Sequence, residues 1–207
     1  NLRRPIWNQD TRSLKYLDLS YNVLETINDK HVNIFPQSLC TLKINHNKLT
    51  LSGISKVNFA KVGFLDLSNN DITGNLTSSI FNAKGGKYIE SLYLDYNKLH
   101  YIGENSFCGL LRLKHLWLSY NNIDRLDKNS FKCLKHLSYI DLSHNQILDI
   151  TRGLFDPLSR SLKELILSNN HLSVIYSPMS LLPLASLKYL DLRNNEIIKI
   201  EGQSFGS

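Results

Sequence analysis

One pattern, repeated eight times along the chain, constrains the fold more than any other feature of the sequence. The first copy runs from Leu14 to Leu24 and reads L-x-x-L-x-L-x-x-N-x-L, where x is any residue. Every later copy keeps the asparagine and fills the apolar positions with leucine, isoleucine or valine. The asparagines are Asn22, Asn47, Asn70, Asn97, Asn121, Asn145, Asn170 and Asn195. Their spacing of 23 to 27 residues indicates a coil built from similar turns.

Strand geometry predicts how each turn folds. The two apolar residues of L-x-L point to the same side of an extended strand. One short strand cannot bury that side alone, so stacked turns must pair their strands and share one core. We predict strands near residues 16–18, 41–43, 64–66, 91–93, 115–117, 139–141, 164–166 and 189–191. The expected fold class is an α/β solenoid, a horseshoe with a parallel concave β-sheet and an irregular convex side.

The repeated asparagine follows each predicted strand and has a clear structural role. Its side-chain amide can both donate and accept hydrogen bonds. We predict that all eight asparagines satisfy backbone groups of their own turn and of the next turn. They would then form a structural ladder along one edge of the sheet.

The second half of several turns carries a phenylalanine at a constant place. These residues are Phe107, Phe131, Phe155 and Phe205, and we expect them to fill the convex side. The segments after Asn47, Asn70 and Asn170 lack this spacing, which indicates irregular convex segments. Together the two half-patterns resemble leucine-rich repeats, in the form found in animal extracellular proteins.

Length and composition fit one globular domain over residues 1–207, with about eight repeats. The chain has 207 residues, of which 42% are hydrophobic. It contains no apolar run of the roughly 18 residues that a membrane span needs, and no signal-peptide pattern opens it. Extracellular leucine-rich repeat proteins usually cap both ends with cysteine-rich units, and neither end shows one. We therefore expect a partial domain, uncapped at both ends.

No sequence motif indicates catalysis. The chain has no phosphate-binding loop, nucleophile elbow, His-Glu-x-x-His or Cys-x-x-Cys. Its seven histidines are scattered along the chain. We predict that the protein is not an enzyme and that it uses neither a metal nor a cofactor.

The cysteines and one glycosylation motif leave several possibilities open. Cys108 and Cys133 occupy neighbouring turns, close enough for a disulfide, although both can also serve as buried thiols. Cys40 lies at a strand position that is predicted to face outward, and it could be a free thiol or pair with a missing segment. Asn75 begins the only N-x-S/T motif, and we predict that it lies in a surface loop and carries a glycan.

Aromatic residues gather at the outward-facing positions of the fourth, fifth and sixth strands. The group comprises Tyr93, Tyr96, His115, Trp117, Tyr120, Tyr139 and His144. Exposed aromatic side chains in one patch are typical of a recognition surface. The alternative is that tyrosine and tryptophan simply suit β-strands.

The repeats also resemble a particular family of receptors. The segments 17–22, 65–70 and 140–145 follow the pattern L-D-L-S-x-N, with isoleucine opening the third. With the irregular turn length and the convex phenylalanines, they resemble Toll-like receptor ectodomains. The resemblance implies a pattern-recognition receptor in which a microbial ligand brings two ectodomains together as a homodimer or heterodimer. It also implies an extracellular or endosomal location, as part of a single-pass membrane protein whose anchor lies outside this segment.

The resemblance does not fix the ligand. A nucleic acid is possible, because the formal net charge is +6 and the histidines add positive charge in acidic compartments. A lipid or protein ligand is equally compatible with the fold. The same repeats also serve adhesion proteins, matrix proteoglycans and the antigen receptors of jawless vertebrates, which form the alternative class.

Overall fold

A computed structural model describes residues 13–27, 35–55, 57–59, 61–78, 80–81, 86–175 and 184–200. Eight short strands in these residues form one parallel sheet, in which each turn pairs with the next turn along the chain. The strands are β1 (Tyr16–Asp18), β2 (Thr41–Lys43), β3 (Phe64–Asp66), β5 (Ser91–Tyr93), β7 (His115–Trp117), β9 (Tyr139–Asp141), β10 (Glu164–Ile166) and β12 (Tyr189–Asp191). The leucine-rich repeat solenoid predicted from the sequence is confirmed.

The register of this sheet places the central apolar residues of all eight strands in one row. Leu65 pairs with Leu92, and Leu92 pairs with Leu116. These three leucines are fully buried, whereas Leu17 and Leu190 in the first and last strands are only partly buried. The core is therefore a continuous apolar spine to which each turn contributes a few side chains.

The rest of each turn is irregular, as expected. Short strands β4 (Thr73–Leu76), β6 (Lys98–Ile102) and β8 (Arg125–Leu126) form a second parallel sheet, and β11 (Val174–Ile175) pairs with β13 (Lys199–Ile200). The only α-helix of the described residues is α1 (Leu51–Ile54). The Thr50 hydroxyl caps its first turn by accepting a hydrogen bond from the Gly53 amide at 3.1 Å. Turns of 3-10 helix span Gly86–Tyr88 and Asp156–Leu158. The α component is thus one short helix, and the fold is chiefly a β-solenoid.

A column of phenylalanines fills the convex side. Phe107, Phe131 and Phe155 stack with ring centroids 6.2 Å and 5.9 Å apart. Phe81 extends the column by one turn, 6.2 Å from Phe107, although the irregular spacing of its segment hid it in the sequence. Phe205 lies outside the described residues.

The asparagines form a ladder, but its direction differs from the prediction. The amide nitrogen of Asn70 donates to the carbonyls of Leu67 in its own turn and Ile44 in the preceding turn, and its oxygen accepts from the Leu49 amide at 2.9 Å. The prediction that each asparagine reaches the next turn is wrong. Because the carbonyl of Ile44 points toward the following turn, it accepts a hydrogen bond from Asn70, the asparagine of that turn.

The same arrangement recurs at six other positions of the ladder. A bridge to the preceding turn is made by Asn47, Asn97, Asn121, Asn145, Asn170 and Asn195. Among the described residues, Asn22 donates to Leu19 and Ser20 of its own turn, and it is exposed. The bridging bonds satisfy backbone groups that the turns would otherwise bury without partners.

Candidate ligand-binding surface

Three aromatic rings lie side by side on the concave sheet. Tyr93 stacks on Trp117 with ring centroids 3.9 Å apart and an interplanar angle of 5°, and Tyr139 lies 5.1 Å from Trp117. His115 lies 5.9 Å from Trp117 on the same strand. All four side chains are half-buried, because each covers part of its neighbour. Parallel in-register pairing places Tyr93 opposite Trp117 and His115 opposite Tyr139, which brings the four rings into one patch.

A fourth ring extends this row toward the N-terminus. Phe64 on β3 lies 5.0 Å from Tyr93. Phe64 occupies the same position in its turn as His115 and Tyr139 occupy in theirs. This shared position is the sequence feature from which Phe64 could have been predicted as part of the patch. We call Phe64, Tyr93, His115, Trp117 and Tyr139 the concave aromatic surface.

The other three predicted site residues form a separate row. Tyr96 stacks on Tyr120 at 4.3 Å, and Tyr120 stacks on His144 at 4.0 Å. These residues do not lie on the strands, as the sequence reasoning placed them, but in the turns directly after them. Each has a left-handed backbone, with φ between 51° and 53°, and this turns the chain out of the sheet before the ladder asparagine. Among the described residues, no ring contact joins the two rows.

The phenol groups of the concave aromatic surface stay protonated at neutral pH. Burial raises the pKa of Tyr139 to about 12, and the nearby Asp141 carboxylate adds to the effect. Burial also raises the pKa of Tyr93, with further contributions from Asp66 and Asp95. Both hydroxyls can therefore donate hydrogen bonds to a ligand.

Carboxylates flank these rings. The Asp66 oxygen Oδ1 accepts from the Ser68 amide at 3.0 Å and from its hydroxyl at 2.7 Å. Asp141 accepts from the Ser143 amide at 2.9 Å. This aspartate–serine pair fixes the carboxylate beside the sheet and explains why D-x-S recurs in the turns.

The fourth turn departs from this pair. Tyr93 stands where four other turns have aspartate, and Asp95 stands where five other turns have serine. The Oδ1 atom of Asp95 is buried and accepts no hydrogen bond in the structure. Burial is the main cause that raises the pKa of Asp95 to about 6, and the negative charges of Asp66 and Asp141 contribute to this rise. A carboxylate with one oxygen that lacks a donor thus lies close to Tyr93.

The Asp95→Asn substitution is expected to stabilise the fold at pH 7. In the folded state the pKa of Asp95 is about 6, above its ordinary value of 3.8. Ionisation of this group therefore destabilises the fold as the pH rises from about 4 to about 6. Because the site is partly exposed, we expect a gain of about 1 kcal/mol at pH 7, or about 2–4 °C in Tm. The gain should vanish near pH 3.5. Thermal unfolding at both pH values, with the exposed Asp149→Asn as control, checks this, and equal gains at both would contradict it.

The remaining candidate sites lie away from the concave sheet. Cys108 and Cys133 form a disulfide with their Cα atoms 4.9 Å apart, which joins two neighbouring convex turns. Cys40 is a free, exposed thiol. Asn75 is exposed, but it lies in β4 rather than in a loop, next to a bulge that Gly74 permits with a φ of 92°. Its glycosylation stays a prediction.

Comparison with known proteins places the chain in a family. A family model described as "Leucine rich repeat" matches residues 87–147 and 143–197, which together make up more than half of the chain. The chain belongs to the leucine-rich repeat family. Two further models of these repeats match residues 61–83 and 12–26. No curated protein sequence matched the chain.

Several solved structures of leucine-rich repeat proteins have folds similar to that of this chain. Internalin C2 of Listeria monocytogenes is 24% identical with a TM-score of 0.67, covering 88% of this chain and 72% of its own. Internalin InlF of the same organism is 22% identical with a TM-score of 0.58, covering 80% of this chain and 48% of its own. A crystal structure of a TLR13–ssRNA13 complex is 27% identical with a TM-score of 0.66, covering 87% of this chain and 29% of that chain. This leucine-rich repeat domain is therefore a ligand-binding or protein-interaction module.

The described residues contain no helix with the length and apolar character of a membrane span. They also contain no group of three or more metal-ligating side chains suited to a metal ion.

Proposed function

We propose that this domain is the ligand-binding part of the ectodomain of an innate immune pattern-recognition receptor, and that it binds without catalysis. The observation that carries the proposal is the concave aromatic surface, a row of half-exposed rings on four neighbouring strands. Aromatic side chains dominate the binding energy of many protein interfaces. The likeness to the TLR13 complex supports the receptor class, and the ssRNA in that complex makes RNA one candidate ligand.

In this proposal a microbial ligand bridges two receptor chains, as a homodimer or heterodimer. The domain would face the extracellular space or the endosomal lumen, in a single-pass membrane protein whose anchor lies outside this segment. An adhesion protein with the same repeats would bind its partner without such pairing. Sedimentation velocity with a single-stranded RNA oligonucleotide, a bacterial lipopeptide and a bacterial protein fraction tests the difference. Two chains per bound ligand support the receptor, and one chain per ligand with every probe contradicts it.

Trp117→Ala is expected to weaken ligand binding at least tenfold, because central aromatic residues contribute about 2 kcal/mol or more at an interface. Tyr21→Ala is the matched control, since Tyr21 is an exposed aromatic residue of the first turn, far along the sheet from Trp117. Binding to immobilised RNA, lipid and protein fractions of a bacterial lysate provides the measurement. Unchanged binding of the Trp117 variant to the fraction that retains the wild-type protein would remove the concave aromatic surface from the proposal.

A further inference from the structure

The charge of the concave aromatic surface differs from that of the whole chain. The formal net charge of the chain is +6. The outward-facing positions of β3, β5, β7 and β9, however, carry two aspartates, Asp66 and Asp141, and no lysine or arginine. Asp95 adds a third carboxylate directly after β5. The rings therefore lie among negative groups, while cations such as Lys98 and Lys114 lie elsewhere and pair with Asp71 and Glu90.

These three carboxylates retain unused acceptor atoms. The aspartates at 66 and 141 each use Oδ1 for the serine two residues further on, and among the described residues their Oδ2 atoms accept no hydrogen bond. The Oδ1 atom of Asp95 also lacks a donor, but it is buried, so Asp95 acts on a ligand through its charge. The three carboxylates repel one another. A bound cation would reduce this repulsion and donate hydrogen bonds to the unused oxygen atoms.

The rings favour the same kind of ligand. A guanidinium or ammonium group is attracted to the face of tryptophan or tyrosine, and arginine combines this stacking with paired hydrogen bonds to carboxylates. A phosphate group at the same place would meet three carboxylates, of which Asp66 has a lysine, Lys43, at the paired position of β2. The chemistry of this surface therefore selects a positive ligand group over a nucleic-acid backbone.

The dimensions of the surface fit an extended segment of a protein. β3 and β9 are three strand spacings apart in the sheet, or about 14 Å. An extended peptide covers about 13 Å in four residues, and residues four apart point to the same side. Two basic side chains at that spacing could reach Asp66 and Asp141 together, with the rings of Tyr93 and Trp117 between them.

We infer that the concave aromatic surface binds a protein partner through an extended basic segment, with arginine or lysine side chains placed between the aromatic rings and the carboxylates of Asp66, Asp95 and Asp141. This inference rests on the proposed function, because it names the chemistry of the ligand at that same surface.

A labelled Arg-Ser-Thr-Ser-Arg peptide tests the inference by fluorescence anisotropy with the whole chain. The Asp66→Asn/Asp141→Asn double variant should weaken binding of this peptide at least tenfold, while its amides keep an acceptor for the two serines. The Asp124→Asn/Asp149→Asn variant removes the same charge from exposed residues outside the concave strands and should change binding less than twofold. Equal losses in both double variants would overturn the inference, because the attraction would then be a property of net charge.

Two further arms separate the ligand classes. Peptide binding should weaken severalfold between pH 7.5 and pH 5.0, because burial holds the pKa of Asp95 at about 6 and this carboxylate loses its charge in that interval. Asp66, Asp141 and Tyr93 face Asp95, and His115 lies on the same surface. A glutamate peptide of equal length should not bind.

An oligouridine probe distinguishes the failure of this inference from the failure of the proposed function. Tighter binding of oligouridine than of the arginine peptide, lost in Trp117→Ala and strengthened at pH 5.0, would overturn the basic segment and leave the receptor proposal intact. A second result would also overturn the basic segment and leave the receptor proposal intact. In it, the wild-type domain does not bind the arginine peptide, but Trp117→Ala abolishes binding of the lysate fraction.

Discussion

Replacing Phe131 with alanine is expected to lower the free energy of unfolding by about 4 kcal/mol. The Phe131 ring is fully buried and stacks between Phe107 and Phe155 on the convex side. Alanine would leave a cavity that two neighbouring turns border. Since each turn contacts only its neighbours, few other side chains can move in to fill it.

Urea denaturation monitored by circular dichroism measures this loss. Leu111→Ala is the control, because Leu111 is 56% exposed and its removal should cost less than about 0.5 kcal/mol. A loss below about 1 kcal/mol for the Phe131 variant would contradict the role of the phenylalanine column in joining the turns.

Asn121→Ala should have the second largest effect, a loss of about 3 kcal/mol. The Asn121 amide donates to the carbonyls of Leu94, Leu118 and Ser119, at 3.0, 3.1 and 3.3 Å. Its oxygen accepts from the Leu99 amide at 2.9 Å. Alanine would remove all four bonds at a buried position, and the Tm should fall by about 6–12 °C.

The exposed end of the ladder supplies the control for this prediction. Asn22→Ala removes two hydrogen bonds that lie within a single, exposed turn, so it should cost less than about 1 kcal/mol. Differential scanning calorimetry of both variants checks the contrast. Equal losses would show that the bonds to the preceding turn add nothing to stability.

The repeated pattern was sufficient to predict the concave sheet because it is strictly local. Alternation of two apolar residues defines each strand, and one asparagine marks where the strand ends. Phe81 could not be predicted in the same way, because its segment departs from the common spacing and only the packed column reveals it. The direction of the ladder depends on which carbonyls point toward which neighbour, and the pattern of residue types does not encode that direction.

The candidate site was predictable in its residues but not in its arrangement. The strand positions placed Tyr93, Trp117 and Tyr139 together, as the parallel register shows. Tyr96 and Tyr120 were assigned to the same patch because they lie only three residues further on. Their left-handed backbone, which the residue type does not favour, moves them to a separate row.

The net charge of the chain differs from the charge of the concave aromatic surface. The formal charge of +6 favours an anionic partner when all faces are averaged. The concave positions are a small subset of the chain, and in the central strands that subset is acidic. Reading the residues by their position in the repeat, rather than by total composition, would have revealed this difference.

Hydroxyl-radical footprinting of this domain, with and without the bacterial lysate fraction that retains it, tests the central claim most directly. Ligand binding is predicted to protect Trp117 and Tyr139 from oxidation while the exposed Tyr21 stays reactive. Unchanged oxidation of Trp117 and Tyr139, with protection found only outside the concave sheet, would contradict the assignment of the concave aromatic surface as the ligand-binding site.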